Sequence, residues 1–288
     1  MPIDYDRLKN WDFPDIQHSY DRRDSQLYAL AMGCGANPLD QQDLDFVYEA
    51  RGPAVLPSMS VVLGYPGFWL GDPATGVNAG QVLHGEQGFV IHKPLAPSGT
   101  VIGRTRVSEV IDKGAGKGAL ILTTRDVIDR DSGELLATLT STSFARGDGG
   151  FGGPAIAAPP PHPMPDGAPQ ASLDLPTLPQ AALIYRLFGD YNPLHIDPDA
   201  ASSAGFDRPI LHGLCTFGVA VRGLVRMCCG NEPTRMRSVR LRFSAPVFPG
   251  ETIRVETWPE GEGTAAFRAK VVERDAIVLN NGFVTFTA

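Results

Sequence analysis

Residues 189–195 read Gly-Asp-Tyr-Asn-Pro-Leu-His, which puts a carboxylate, an amide and an imidazole within seven positions. An Asp is ionised at neutral pH and a His is near its midpoint, so the pair can take up and return a proton without extreme tuning of either. Asn192 adds a side chain that both donates and accepts. The Asn192-Pro193 step predicts a tight bend, because proline fixes its own φ and keeps the preceding residue out of the helical region; such a bend folds Asp190 and His195 toward one point. Leu211-His212-Gly213-Leu214 then opens an apolar, helix-like stretch whose first turn exposes unpaired amides. The Gly213 amide is placed to hold a developing oxyanion there, helped by the helix dipole. Turn chemistry alone would make Gly-Asp before Asn-Pro an ordinary surface turn.

The elements that must position these groups follow from periodicity. The spacing predicts a helix from about His212 to Cys229, stopped by Gly230, with apolar and small residues around much of its circumference, so it should be buried. Asp197-Pro198 starts a short helix ending near Gly205. Strand-like runs follow at Val239–Phe243, Thr252–Trp258, Ala265–Val272, Ile277–Leu279 and Phe283–Thr287. The first half carries strands at roughly 82–92, 100–110, 118–129 and 135–145, with Asp129 to Gly133 as a hairpin turn. Its helix is weak: Leu56 to Tyr65 is short and then broken by Gly64, Pro66 and Gly67. Between Gly147 and Gln170 the chain is Gly-rich and then Pro-rich, which reads as an extended connector. The flanking halves echo each other. Tyr28 to Gly33 with Asn37-Pro38 parallels Tyr185 to Gly189 with Asn192-Pro193, and Lys93 to Gly99 parallels Ala245 to Gly250, which suggests a duplication.

Composition narrows the field further. The 288 residues supply ample apolar content for a core. Four cysteines (Cys34, Cys215, Cys228, Cys229) include no C-x-x-C pair, which supports neither a disulfide framework nor a zinc site and fits a reducing compartment. A net charge of -7 without a Lys/Arg block argues against a nucleic-acid partner, and no apolar run is long enough to span a membrane. The start at Met1-Pro2-Ile3-Asp4 lacks a secretion signal, and Thr285-Phe286-Thr287-Ala288 carries no peroxisomal address, so a cytoplasmic protein is expected.

With Tyr185 and Gly189 added, the run Tyr185-Arg-Leu-Phe-Gly189-Asp190-Tyr191-Asn192-Pro193-Leu194-His195 resembles the signature of the type 2 enoyl-CoA hydratases, the MaoC-like dehydratase family. The resemblance extends through Leu83 to Gln87, Gly149 to Gly153 and Ala204 to Gly218. It implies an α+β double hot-dog fold: two repeats, each an antiparallel sheet around a central helix, with only the later repeat catalytic. The domains would then be 1–146, a degenerate repeat contributing acyl and coenzyme A space; 147–175, a linker; and 176–288, the catalytic repeat. Cys34, Gly35 and Asp40 stand in the first repeat where an Asp and a His would be wanted. The implied reaction is syn addition of water to a trans-2-enoyl-CoA giving the (3R)-hydroxyacyl-CoA. Asp190 is expected to be the base holding water, His195 the acid, Asn192 the orienting amide and Gly213 the oxyanion donor; the residues alone leave the roles of Asp190 and His195 interchangeable. No metal or redox cofactor is implied, coenzyme A entering with the substrate, and a homodimer is expected by resemblance.

Other polar residues divide between site and scaffold. His84 and Gln87 either line the substrate cavity or satisfy buried backbone groups. Lys93, Arg208, Arg240 and Arg242 are candidates for coenzyme A phosphates, since both side chains suit that task. His212 reads as a helix-entry residue and Cys228-Cys229 as core filling. Gly149 to Gly153 lacks the lysine of a phosphate loop and reads as flexible linker. Two other functions compete with hydration: a 3-hydroxyacyl-thioester dehydratase running the same chemistry backward, and a non-catalytic acyl-CoA binding module.

Overall fold

A computed structural model describes residues 2–287; Met1 and Ala288, which bear on the readings of the two chain ends, lie outside the described residues. The first half contains helix α1 (Tyr5–Lys9), strand β1 (Ile16–Tyr20), helices α2 (Arg22–Ala31) and α3 (Leu44–Val47), and strands β2 (Val82–Ile91), β3 (Gly99–Asp112), β4 (Ala119–Asp129) and β5 (Leu135–Ala145). The second contains β6 (Ala171–Pro176), α4 (Ala181–Tyr185), α5 (Pro198–Ser203), α6 (Gly213–Cys228) and strands β7 (Met236–Phe243), β8 (Thr252–Gly261), β9 (Thr264–Val271) and β10 (Ala276–Phe286).

All ten strands form one antiparallel sheet in the order β1-β3-β4-β5-β2-β7-β10-β9-β8-β6. Replacing β1 to β5 by β6 to β10 reproduces the order read from the other end. Each half is therefore one hot-dog unit, and the two meet where β2 pairs with β7, Glu86 opposite Arg242 and Gly88 opposite Arg240. The echo between Tyr28 and Tyr185 becomes a contact: both are buried, with ring centroids 6.4 Å apart.

Every residue of α6 from Cys215 to Val225 is buried, as expected of a helix apolar on all sides and wrapped by a sheet. Gly218 is required there. A methyl group at that position would lie 2.1 Å from Met32 Sδ, so the close approach of the segment ending α2 depends on it. Among the described residues the first repeat has no equivalent helix. In its place Pro57–Val62 makes a six-residue 3-10 segment, fully buried. The chain then crosses β3 at Gly64, whose left-handed φ of +60° and contact with Gly103 leave no room for a side chain at either position.

Three expectations are corrected. The runs at 277–279 and 283–287 belong to one strand, β10, bulged where Asn281 adopts φ 53°. Residues 171–175, placed in the connector, are strand β6, whose pairing with β8 was not visible in a short run ending in proline. The glycines at 149–153 are held in place: Gly150 and Gly152 N–H each donate over 2.7 Å to the carboxylate of Asp112.

Candidate active site

The 189–195 motif builds its geometry from local hydrogen bonds. A 3-10 turn over Arg186–Phe188 follows α4 and ends at Gly189, whose φ of 106° suits glycine. Asp190 Oδ1 accepts from Asn192 N–H at 3.3 Å, and Asn192 Oδ1 accepts from Leu194 N–H at 3.1 Å, so two Asx turns run in tandem into a 3-10 turn over Pro193–His195. This chain of turns brings His195 back beside Asp190. The exposed Asn192 caps the turn with its carbonyl, a scaffold duty in addition to the orienting one expected of it.

His195 is 9 % exposed and its Nδ1–H donates to Ile210 O at 2.9 Å, which fixes the tautomer and leaves Nε2 as the free lone pair. Burial holds its pKa below the ordinary value, against the opposing pull of the Ile210 carbonyl and the Asp190 carboxylate. His212, the residue before α6, lies against it: the two rings stack with centroids 3.8 Å apart and planes 29° from parallel. His212 Nε2–H donates to the backbone carbonyl of Asp190 at 3.2 Å, and its ring also packs against that of Tyr185, with centroids 4.9 Å apart. Burial and the neighbouring His195 push its pKa down to about 4, so it is neutral under ordinary conditions. A carboxylate oxygen of Asp190 and a ring nitrogen from each histidine all lie within 4.8 Å of one another. Stacked rings direct their lone pairs along near-parallel planes, and each has one nitrogen committed to a carbonyl, so they do not converge on a tetrahedral point as zinc requires. The arrangement suits a water held between Asp190 and His195 Nε2.

Gly213 opens α6, and its N–H has no protein acceptor among the described residues. A methyl added at Gly213 would lie 3.4 Å from the Phe243 ring. Phe243 in turn lies 4.7 Å from the ring of His84, which donates through Nε2 to Gln87 Oε1 at 3.1 Å. Burial, first among its causes, pushes His84 down to about 4, and the Asp190 carboxylate opposes the shift. His84 thus lies beside the Phe243 ring that flanks Gly213, while Gln87 Nε2 donates to the backbone carbonyl of Gly88 at 3.1 Å, a buried backbone group of the kind the other reading gave it.

The four cations divide. Lys93 pairs with Glu134 on the surface and Arg242 with Glu86. Arg240 stacks over Phe283 at 5.3 Å, beside a cavity of about 250 Å³ beneath the proline segment 159–162. That cavity is lined by Arg240 and Arg242 and not by Asp190 or His195. Arg208 is exposed, with its guanidinium over Phe248 at 4.6 Å, and belongs to the chain that leads into His212.

His212, read as a helix-entry residue, stands directly before α6 and also donates to the carbonyl of Asp190. Two residues near the site carried no reading in the sequence. Tyr65 and Arg125 come from the first repeat, and Tyr65 lies near enough to Asp190 for the carboxylate to help raise its phenol pKa, after burial, to about 12. Arg125 shares its face of β4 with the buried Ile121 and Val127, an out-of-place cation that the alternation could have flagged.

The matches to known proteins cover both repeats. Residues 162–281 match the MaoC like domain and residues 18–147 the MFE-2 hydratase 2 N-terminal domain. A 3-hydroxyacyl-thioester dehydratase Y of Mycobacterium tuberculosis is 41 % identical over 274 residues, covering 92 % of each chain. This chain belongs to the MaoC-like dehydratase family. An enoyl-CoA hydratase of the same organism is 36 % identical over 97 % of this MaoC-like chain and 98 % of its own. The crystal structure of a MaoC-like dehydratase from Phytophthora capsici superposes with a TM-score of 0.86 at 39 % identity over 98 % of both chains. The MaoC-like signature falls on the Asp190–His195 turn, and its Tyr185 is the ring against which His212 rests.

Proposed function

We propose that the protein is an (R)-specific 2-enoyl-CoA hydratase, adding water to a trans-2-enoyl-CoA to give the (3R)-3-hydroxyacyl-CoA. The observation that carries this is the convergence of the Asp190 carboxylate with a neutral His195, whose Nδ1–H is already spent on Ile210. Two acceptors facing one water take its two O–H groups and leave an oxygen lone pair for C3. As the oxygen bonds to C3, one proton passes to His195 Nε2 and the C2=C3 electrons move onto the thioester oxygen, received by Gly213 N–H. The imidazolium, stabilised by Asp190, then gives that proton to C2, so one water is added and the enzyme is restored. His195 is both base and acid in this cycle and Asp190 the anchor, in place of the expected split with Asp190 as base and His195 as acid. The hydroxyl and the proton are both delivered from the side of His195, in keeping with syn addition.

The same groups accelerate the reverse dehydration, the reaction that the name of the 41 % identical relative carries. Coenzyme A arrives as part of the substrate, and the cycle needs no metal or redox cofactor. We read the enzyme as a cytoplasmic homodimer. Four free cysteines, all at least half-buried, fit a reducing compartment, and no helix among the described residues is long and apolar enough to cross a membrane.

Crotonyl-CoA and a long-chain trans-2-enoyl-CoA, incubated with the protein while the conjugated absorbance is followed, test the reading. Loss of absorbance in the wild type and its near-abolition in Asp190→Asn is the expected result. An inert wild type on both substrates would favour the binding-module alternative.

A further inference from the structure

The proline segment between the repeats roofs a cavity of about 250 Å³ at the junction of β2 with β7. Side chains alternate along β7: Val239 and Leu241 are buried in the core around α6, so Arg240 and Arg242 point to the opposite face of the sheet. The floor of the cavity there has two rows. In one, Arg242 pairs with Glu86, whose Oε2 accepts from Thr142 Oγ1 at 3.0 Å. In the other, Thr140 of β5 and Arg240 of β7 stand on either side of Gly88, which is the register partner of both. Thr140 and Arg240 are exposed, and neither side chain makes a hydrogen bond or ion pair among the described residues; the Arg240 guanidinium rests on the ring of Phe283 at 5.3 Å. A methyl group at Gly88 would lie 2.8 Å from Thr140 Oγ1 and 3.3 Å from Arg240 Cβ, so the missing side chain leaves a notch between hydroxyl and cation.

The roof is fastened over this notch. Asn281 Nδ2 donates to the His162 carbonyl at 2.8 Å, His162 Nε2 lies 2.9 Å from Glu260, and the His162 ring packs on Phe283 at 4.5 Å. The aromatic ring that carries Arg240 therefore carries the proline strap as well. With Glu86 taken by Arg242 and Glu260 by His162, the positive charge of Arg240 is left uncompensated in a cavity that hydroxyl side chains also line.

We propose that this cavity binds a small oxyanion of the phosphate type, free or as the monoester of a small metabolite, with Arg240 and Thr140 as its donors. Guanidinium N–H groups beside a hydroxyl match the several acceptor oxygens of a phosphoryl group. The bound anion joins β5 of the first repeat to β7 of the second. Gly213 and the Asp190–His195 pair gather at the start of α6, on the other face of the sheet, so the anion binds independently of a thioester.

Calorimetric titration with sodium phosphate, at an ionic strength held constant with sodium chloride, tests this without turnover. The wild type should show saturable binding of one phosphate per chain with a Kd of about 1 mM or tighter. Arg240→Gln should weaken it about tenfold or more and Thr140→Val about threefold, since the first removes a charged donor and the second a neutral one. Saturating butyryl-CoA should leave the phosphate affinity of the wild type unchanged. Glycerol 3-phosphate in a parallel titration separates the sources: tighter binding than phosphate makes a monoester the occupant, weaker binding the free ion. No saturable heat with either probe overturns the proposal, and that titration needs no variant to fold. Equal affinity in wild type and Arg240→Gln, or displacement of phosphate by butyryl-CoA, overturns it too, the latter by assigning the cation to the substrate's own phosphates.

Discussion

His212 donates through Nε2 to the backbone carbonyl of Asp190 while its ring stacks on His195 at 3.8 Å. One side chain at the entrance to the buried helix therefore sets the position of both members of the water-binding pair, which come from a turn 17 to 22 residues earlier in the chain. Replacing it with phenylalanine would keep the stack and remove the hydrogen bond. His212→Phe should lower kcat about tenfold with KM little changed, since the reacting groups move and the acyl and coenzyme A contacts do not. Steady-state kinetics that show a rise in KM alone would assign His212 to substrate binding.

Asp190→Asn and His195→Gln should each reduce kcat/KM by about 10²-fold or more, and the double variant should fall little further, because the two residues act on one water. Unchanged far-ultraviolet circular dichroism would show that the fold is intact. Independent, multiplicative losses would indicate two separate roles.

The pH dependence of kcat/KM should have an acid limb set by His195. Burial depresses that imidazole, so the limb should fall below the 6.5 of an unperturbed histidine, activity being lost as the ring becomes protonated. In His195→Gln the residual activity should lack this limb. A limb above 6.5 would mean that another group governs the profile.

Stability should show its own acid dependence. His84 and His212 are both depressed to about 4, so the unfolded chain binds protons before the native state does as pH falls below 6.5. Their contribution is complete above 6.5 and is lost progressively down to about pH 4, on the order of a few kcal/mol for the two together. Urea unfolding across this range should show the decline, and His84→Gln should make it shallower.

The first repeat's counterpart of the catalytic turn is closed by charge. Arg222 and Arg226 of α6 reach Asp43 and Asp40, each at 2.7 Å, and the Arg222–Asp43 pair is almost fully buried. Asp43→Ala should destabilise the protein by about 3–5 kcal/mol, since Arg222 would be left unpaired. A shift in the urea midpoint measures this. Turnover of the folded fraction should be preserved.

Much of this was legible in the residues. Four of the five first-repeat strands, β2 to β5, were marked by strand-like runs and by the Asp129–Gly133 turn, and the central helix by its apolar circumference and its stop at Gly230; the five-residue β1, which pairs with β3, was not. The catalytic turn was marked by Asn192-Pro193 and the spacing to His195, both local signals. What escaped depended on long-range pairing: β6 has six residues and is a strand only because β8 lies beside it. The same holds within the site, where the Gly64–Gly103 crossing carries Tyr65 close enough for the Asp190 carboxylate to act on its phenol, and His212 meets Asp190 only through the folding of α6 against the turn.

The ion pairs that fill the turn at 33–43 also fix a ratio. With Asp40 and Asp43 bound to arginines of the neighbouring unit, the proposed reading leaves a polypeptide made from two similar halves with a single working centre. Titration with a tight inhibitor should saturate at one equivalent per chain, and a lesion in the later half has no spare copy to mask it.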